Sequence, residues 1–145
     1  MTKNNCGCEC SAAPTLIFPC SGAADVGEIA DRVARKLSKD GVGTIFCLAG
    51  IGAGLSGFVG SAQAARVNIT IDGCPVACSS KTIKNLGLEP QSFVLTDMGL
   101  VKGKTSVNDH VIEEISETIK KAITGGNVNA PYGKTISNTD GCCSL

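Results

Sequence analysis

The sequence has no excess of charge and very few aromatic residues. It contains 13 lysines and arginines against 13 aspartates and glutamates, so its formal net charge is zero. A protein that binds nucleic acid or an anionic membrane needs a basic field to attract phosphate groups, and this composition argues against both functions. Aromatic residues make up 3% of the chain and tryptophan is absent, which argues against stacking on bases or sugars.

Long apolar segments are also missing. No apolar run reaches the roughly 18 residues needed to span a membrane. The segment from Met1 to Ala13 is polar and cysteine-rich, unlike a signal peptide. The sequence therefore predicts a soluble cytoplasmic protein. Its 43% of apolar residues and 18 glycines suffice for one compact domain whose helices pack closely on a sheet.

What the chain does contain is an unusual number of cysteines. There are nine, at positions 6, 8, 10, 20, 47, 74, 78, 142 and 143. An odd count without an export signal argues against a secreted disulfide framework, so the thiols indicate metal ligands or redox groups. For any single position the alternative is a buried free cysteine, which packs as a small hydrophobic residue.

Turn residues and hydrophobic periodicity divide the chain into three parts. Residues 1–14 form a polar, cysteine-rich N-terminal segment, residues 15–124 an α/β metal-binding domain, and residues 125–145 a polar C-terminal extension. Within the domain, short apolar strands alternate with helical segments. This alternation predicts a single three-layer α/β domain of Rossmann-like type, with a four-stranded, mainly parallel sheet covered on both faces.

The predicted strands cover residues 15–18, 42–48, 67–71 and 93–96, and a helix follows each of them. The first helix begins with Asp25 and Glu28 placed as a capping box. The third has Pro75 at its first position and Gly87 at its end. Because ligands of parallel α/β sheets bind beyond the carboxyl ends of the strands, we expect the functional site at that edge.

Four of the cysteines belong to this edge. Cys20 ends the first strand, Cys47 lies near the end of the second, and Cys74 follows the third. Cys78 comes four residues after Cys74, which predicts that both thiols lie on one helical face, with Cys74 at the helix N-terminus. Four cysteine thiolates are a standard ligand set for zinc, and iron–sulfur clusters use the same set. The spacing therefore predicts a tetracysteine metal site without choosing between zinc and an iron–sulfur cluster.

Three segments of this region resemble a known family. They are residues 19–27 (PCSGAADVG), 47–52 (CLAGIG) and 71–78 (IDGCPVAC). In order and spacing they resemble the DGC-domain family, named for its Asp-Gly-Cys motif, and the resemblance extends over roughly residues 15 to 124. It implies a zinc-binding protein with Cys20, Cys47, Cys74 and Cys78 as the four chelating residues. It adds little about any enzymatic activity.

Three functional hypotheses follow. The leading one is metal binding without catalysis, with zinc as the first choice of ion and a role in metal handling or sensing. The second is a thiol redox or persulfide-transfer enzyme in which Cys74 is the nucleophile and Cys78 resolves the intermediate. The third is an iron–sulfur protein. Alkylation separates the first two, because a filled tetrathiolate site leaves no free nucleophile.

Other motifs have both a functional and a structural interpretation. Gly52, Gly54 and Gly57 fit the outline of a dinucleotide-binding fingerprint, but glycines also permit close packing of a helix on a sheet, and we favour packing. Asp72 fits either that fingerprint or the cap of the turn that follows it. Lys81 and Lys102 are expected to be solvated, although their charges suit a tetrathiolate site.

Overall fold

The architecture is a four-stranded parallel sheet with helices on both faces. A computed structural model describes residues 13–125. Apart from their inner ends, the predicted segments 1–14 and 125–145 lie outside the described residues. The strands are β1 (Thr15–Pro19), β2 (Thr44–Ile45), β3 (Val67–Asp72) and β4 (Gln91–Val94). All neighbouring strands are parallel, in the order β2-β1-β3-β4, which confirms the predicted α/β class and four-stranded sheet.

Within residues 13–125, five helices cover this sheet. They are α1 (Asp25–Lys39), α2 (Leu48–Gly52), α3 (Ser56–Ala64), α4 (Cys78–Lys84) and α5 (Asp109–Thr124), with a 3₁₀ turn at Leu95–Met98. One hydrophobic cluster joins α1 and α5 to one face of the sheet, and a second joins α2, α3 and α4 to the other face. The sheet and the helices packed on each of its two faces are the three layers that the sequence predicts. In the described part of the chain, no helix has the length and apolar character that crossing a bilayer requires.

Strand β1 is buried on both of its faces. Ile17 packs in the cluster with α1 and α5, whereas Leu16 and Phe18 pack in the cluster that contains Ile51 and Ile83. This division follows from the strand geometry, in which successive side chains point to opposite faces. Burying each of these side chains contributes about 1.5–3 kcal/mol, which fixes the strand at the centre of the domain.

The amphipathic pattern of α1 produces the helix that it predicts. The apolar residues at helical spacing are all buried: Val26, Ile29, Ala30, Val33, Ala34 and Leu37. The opposite face carries ion pairs between Arg32 and Glu28 and between Arg35 and Asp31. Burial of one helical stripe therefore decides how α1 lies on the sheet.

The predicted boundaries are wrong at three points. Strand β2 has two residues instead of the seven expected from residues 42–48, because pairing with β1 ends at the Phe46 N–H and Cys47 becomes the N-cap of α2. The helix expected after β2 is two helices, separated by a turn in which Gly54 has a φ of +67°. The fourth strand ends at Val94, and the residues that follow it form the 3₁₀ turn.

The strand order creates one point at which successive connections diverge. From β1 the chain crosses to β2 on one side, and from β2 it crosses back past β1 to β3 on the other. The crevice outside the carboxyl ends of β1 and β3 is thus a topological switch point, where ligands of open α/β sheets bind. Cys20 and Cys74 follow these two strands.

Candidate metal centre

The four central cysteines follow three adjacent strands of the sheet. Cys20 comes directly after β1, Cys47 lies two residues after β2, and Cys74 lies two residues after β3. Cys78 is the first residue of α4. All four are free thiols, with Cys20 and Cys74 half-buried and Cys47 and Cys78 exposed. The predicted location of Cys20, Cys47 and Cys74 at the carboxyl edge is confirmed.

The predicted helical pairing of Cys74 with Cys78 is wrong. Helix α4 begins at Cys78, and Pro75 lies in the turn before it. In that turn the Ala77 N–H donates to the Cys74 carbonyl oxygen at 3.0 Å, and Ala77 adopts a left-handed conformation with a φ of +53°. Cys74 therefore does not lie in the first turn of a helix, and the two thiols do not share a helical face.

The cap of α4 explains why the helix starts where it does. The carboxylate of Asp72 accepts hydrogen bonds from the Ser79 N–H at 2.8 Å and the Ser80 N–H at 3.0 Å. The carboxylate thus satisfies two of the unpaired donors in the first turn of the helix. Asp72 is 1% exposed, so these bonds are shielded from water. Capping is confirmed as the role of Asp72.

Gly73 lies where the backbone of two elements meets. A Cβ atom at this position would lie 2.7 Å from the carbonyl carbon and oxygen of Val26 and 2.9 Å from the nitrogen of Gly27. Gly27 is equally confined, because its Cβ would lie 2.5 Å from the Gly22 carbonyl oxygen. Only glycine lets the turn after β3, the first turn of α1 and the turn after β1 approach each other this closely.

A backbone-to-sulfur hydrogen bond joins the ends of β1 and β3. The Gly73 N–H donates to the Cys20 sulfur at 3.3 Å, and the Cys20 N–H donates to the Ile71 carbonyl oxygen at 3.0 Å. Ser21, which follows Cys20, has a φ of +46°. Within residues 13–125, Ser21 and Ala77 are the non-glycine residues with positive φ, and each is adjacent to one of the four cysteines. Such strained positions are concentrated at functional sites.

The predicted capping box at the start of α1 is wrong. The N-cap is Ala24, which has no side chain able to cap, and Glu28 pairs with Arg32 instead. The Asp25 carboxylate is used over a longer range: both of its oxygens accept from the Gly103 N–H at 2.9 Å, and one accepts from the Thr105 N–H at 3.1 Å. Asp25 thereby ties the loop between β4 and α5 to the start of α1.

The loop between β4 and α5 places the charged side chain of Lys102 beside Cys74. The ammonium nitrogen of Lys102 lies 3.8 Å from the Cys74 sulfur, within the range of a hydrogen bond to sulfur. The expectation that Lys102 is simply solvated is therefore incomplete, because the side chain is exposed and also contacts a thiol. In the sequence, the glycines at 99 and 103 indicate a tight loop around Lys102. In the structure both glycines have a positive φ.

Acid should release this loop. The N–H groups of Gly103 and Val26 hold the pKa of Asp25 below its ordinary value of 3.8. A lowered pKa means that the carboxylate stabilises the folded state above about pH 4 and that this stabilisation is lost as the pH falls through the lower folded-state value. We expect Asp25→Asn to be less stable than the wild type at pH 6 and the difference to shrink towards pH 2.

Urea denaturation of both proteins between pH 2 and pH 6 measures that difference directly. Hydrogen exchange at the Gly103 amide reports the same bond locally, and it should accelerate in Asp25→Asn at pH 6. A stability difference that stays constant over the whole pH range would show that the Asp25 carboxylate does not hold the loop.

The glycines at 52, 54 and 57 do not form a dinucleotide-binding turn. Such a fingerprint follows a strand directly, whereas Gly52 is the last residue of α2. The packing interpretation is also wrong for these three positions, because a Cβ at any of them would meet nothing within 4 Å. Gly50, two residues earlier, does pack closely, because a Cβ there would lie 2.6 Å from the ring of Phe58.

The chemistry of the four thiols suits a soft metal ion, but their side chains are apart in this conformation. Within residues 13–125, no three cysteine, histidine, aspartate or glutamate side chains lie close enough together to hold a metal. Free thiols that are not fully buried and that follow adjacent strands are available to a thiophilic ion such as zinc. Binding by all four therefore requires their side chains to come closer together than they are in this conformation.

The fold and these positions define a class of protein: a parallel α/β domain with cysteines along the carboxyl edge of its sheet. A model of the family described as DGC domain matches residues 16–121, and the chain belongs to the DGC-domain family. It is also similar to the anaerobic and virulence modulator AnvM of Pseudomonas aeruginosa, with 28% identity over 88 residues that cover 60% of this chain and 67% of that protein. No solved structure matches the chain.

Proposed function

We propose that this protein binds one zinc ion through Cys20, Cys47, Cys74 and Cys78, without catalysing a reaction, and that it acts in metal handling or sensing. The observation that carries the proposal is the order of the strands. Cys47, Cys20 and Cys74 follow β2, β1 and β3, which are neighbours in that order. Neighbouring strands lie about 4.8 Å apart, so three thiols arise side by side on one rigid edge.

The chemistry of the ligands favours zinc over a harder ion. Thiolates are soft ligands that select Zn(II), Cu(I) or iron–sulfur clusters over magnesium and calcium. Membership of the DGC-domain family supports the same proposal, since a metal-binding function is associated with that family. Similarity to AnvM, whose name describes a modulator, is compatible with sensing.

The proposal is tested by the metal content of the protein after anoxic purification. We expect one zinc per chain in the wild type, and we expect Cys74→Ser and Cys78→Ser each to abolish stoichiometric binding, because zinc bound at a structural site needs four protein ligands. A matched control replaces the five remaining cysteines with serine and should still bind one zinc per chain. Those five are Cys6, Cys8, Cys10, Cys142 and Cys143.

Two further outcomes separate the alternatives. Iron and acid-labile sulfide with a brown colour would identify an iron–sulfur cluster. Rapid alkylation of Cys74 and Cys78 in metal-replete protein would favour thiol chemistry, since a filled site protects its thiolates. If one tightly held zinc persists in either single variant, the assignment of four ligands is wrong.

A further inference from the structure

Lys102 has a contact that the four-thiol site does not require. Its ammonium nitrogen lies 3.8 Å from the Cys74 sulfur, and the two residues are 28 positions apart in the chain. Within residues 13–125, Lys102 is the one basic residue whose side chain donates a hydrogen bond to a cysteine sulfur. An exposed lysine ordinarily extends into water, so the question is what holds this one beside Cys74.

The loop that carries Lys102 is fixed from both sides. On one side the Gly103 N–H donates to both carboxylate oxygens of Asp25. On the other, the Thr105 hydroxyl accepts from the Val101 N–H at 2.8 Å and donates to the Val101 carbonyl oxygen at 3.0 Å. These bonds close a tight turn of residues 101–105, of which Lys102 is part. The backbone of Lys102 is therefore fixed relative to the start of α1.

The positive charge of Lys102 suits the net negative charge of a tetrathiolate metal centre. Four thiolates around one divalent cation have a formal net charge of −2, and such a centre is stabilised by outer hydrogen-bond donors. Two donors already point at two different sulfurs: the Gly73 N–H at Cys20 and the Lys102 ammonium at Cys74. The first is a neutral backbone group, and the second also brings a full positive charge.

We propose that Lys102 is a positioning residue of the metal centre, which donates to the Cys74 sulfur, offsets part of the charge of the tetrathiolate and slows release of the ion. This inference rests on the zinc site proposed above. Asp25 contributes to the same effect on metal release, because it holds the loop from which Lys102 reaches the sulfur. The pair determines how long the metal stays bound without supplying a ligand.

The test measures the rate at which zinc leaves the loaded full-length protein for an excess of a chromogenic chelator. We expect Lys102→Met to release zinc roughly three- to tenfold faster than the wild type, less than the roughly 10- to 100-fold effect of a buried outer partner, because Lys102 is exposed and its charge is screened. Lys102→Arg keeps the charge and should stay within about twofold of the wild type. Asp25→Asn should accelerate release like Lys102→Met, because it frees the loop.

Lys104→Met is the matched control. Lys104 is exposed and lies on the same loop two residues further on, so its removal changes the net charge equally without removing the contact to Cys74. It should release zinc at the wild-type rate. Equal acceleration by both substitutions would overturn the inference in favour of a general effect of surface charge, and so would a wild-type rate in Lys102→Met. If the wild type holds no zinc, the proposed metal site fails and this inference fails with it.

Discussion

Replacing Gly73 with alanine should lower the free energy of unfolding by about 2–3 kcal/mol, the upper part of the range for inserting a carbon atom into a packed interior. The new Cβ would lie 2.7 Å from backbone atoms of Val26, and backbone cannot rotate away as a side chain can. To make room, the turn after β3 has to separate from α1. The separation also stretches the bond from the Gly73 N–H to the Cys20 sulfur.

This effect is measured by chemical denaturation of metal-free protein, so that any change reports packing and not metal binding. Gly60→Ala is the matched control, because Gly60 lies within α3 and a Cβ there would meet nothing within 4 Å. It should stabilise the protein by about 0.5–1 kcal/mol through helix propensity alone. Equal stabilities of the two variants would contradict the close approach of Gly73 to α1.

Removing the carboxylate of Asp72 should cost about 3 kcal/mol of stability, or roughly 10 °C in melting temperature. Asp72→Ala leaves the N–H groups of Ser79 and Ser80 without their acceptor in a buried site. Helix α4 has only seven residues, and so short a helix has little stability of its own in the absence of capping and packing. Its unravelling would displace Cys78, so metal affinity should fall as well.

Two other variants make the measurement specific. Asp72→Asn keeps one acceptor oxygen and should lose about half as much stability, because only one of the two N–H groups then lacks a partner. Asp97→Ala removes an exposed carboxylate from the 3₁₀ turn and should change stability by less than about 0.5 kcal/mol. A loss in Asp72→Ala no larger than in Asp97→Ala would show that the cap does not hold α4.

Local patterns in the sequence determined the layers of this domain. The apolar run at residues 15–18 and the helical spacings in residues 26–37 and 111–123 correspond to β1, α1 and α5. In α1 and α5 the buried residues follow the helical period, and in β1 a continuous apolar run is buried on both faces, so no distant part of the chain is needed to predict them. Strand–helix alternation likewise sufficed for a parallel sheet and for thiols at its carboxyl edge.

The Asp-Gly-Cys motif shows the limit of such patterns. The sequence indicates a site at Asp72, Gly73 and Cys74, and it allows that Asp72 caps the following turn. It does not indicate that Gly73 packs on α1, since Val26 and Gly27 precede Gly73 by 47 and 46 positions in the chain. Nor does it show that α4 starts at Cys78, because Pro75 is equally compatible with a first helical position.

Only the tertiary structure decided which partners the polar side chains have. Asp25 and Glu28 have the spacing of a capping box, yet the Asp25 carboxylate binds backbone N–H groups 78 and 80 residues further along the chain. Lys102 meets the Cys74 sulfur for the same reason, because the order β2-β1-β3-β4 brings the loop after β4 to the edge where β3 ends. Hydrophobic periodicity predicts which residues are buried. A hydrogen bond between distant segments depends instead on the order of the strands in the sheet, and no local sequence pattern determines that order.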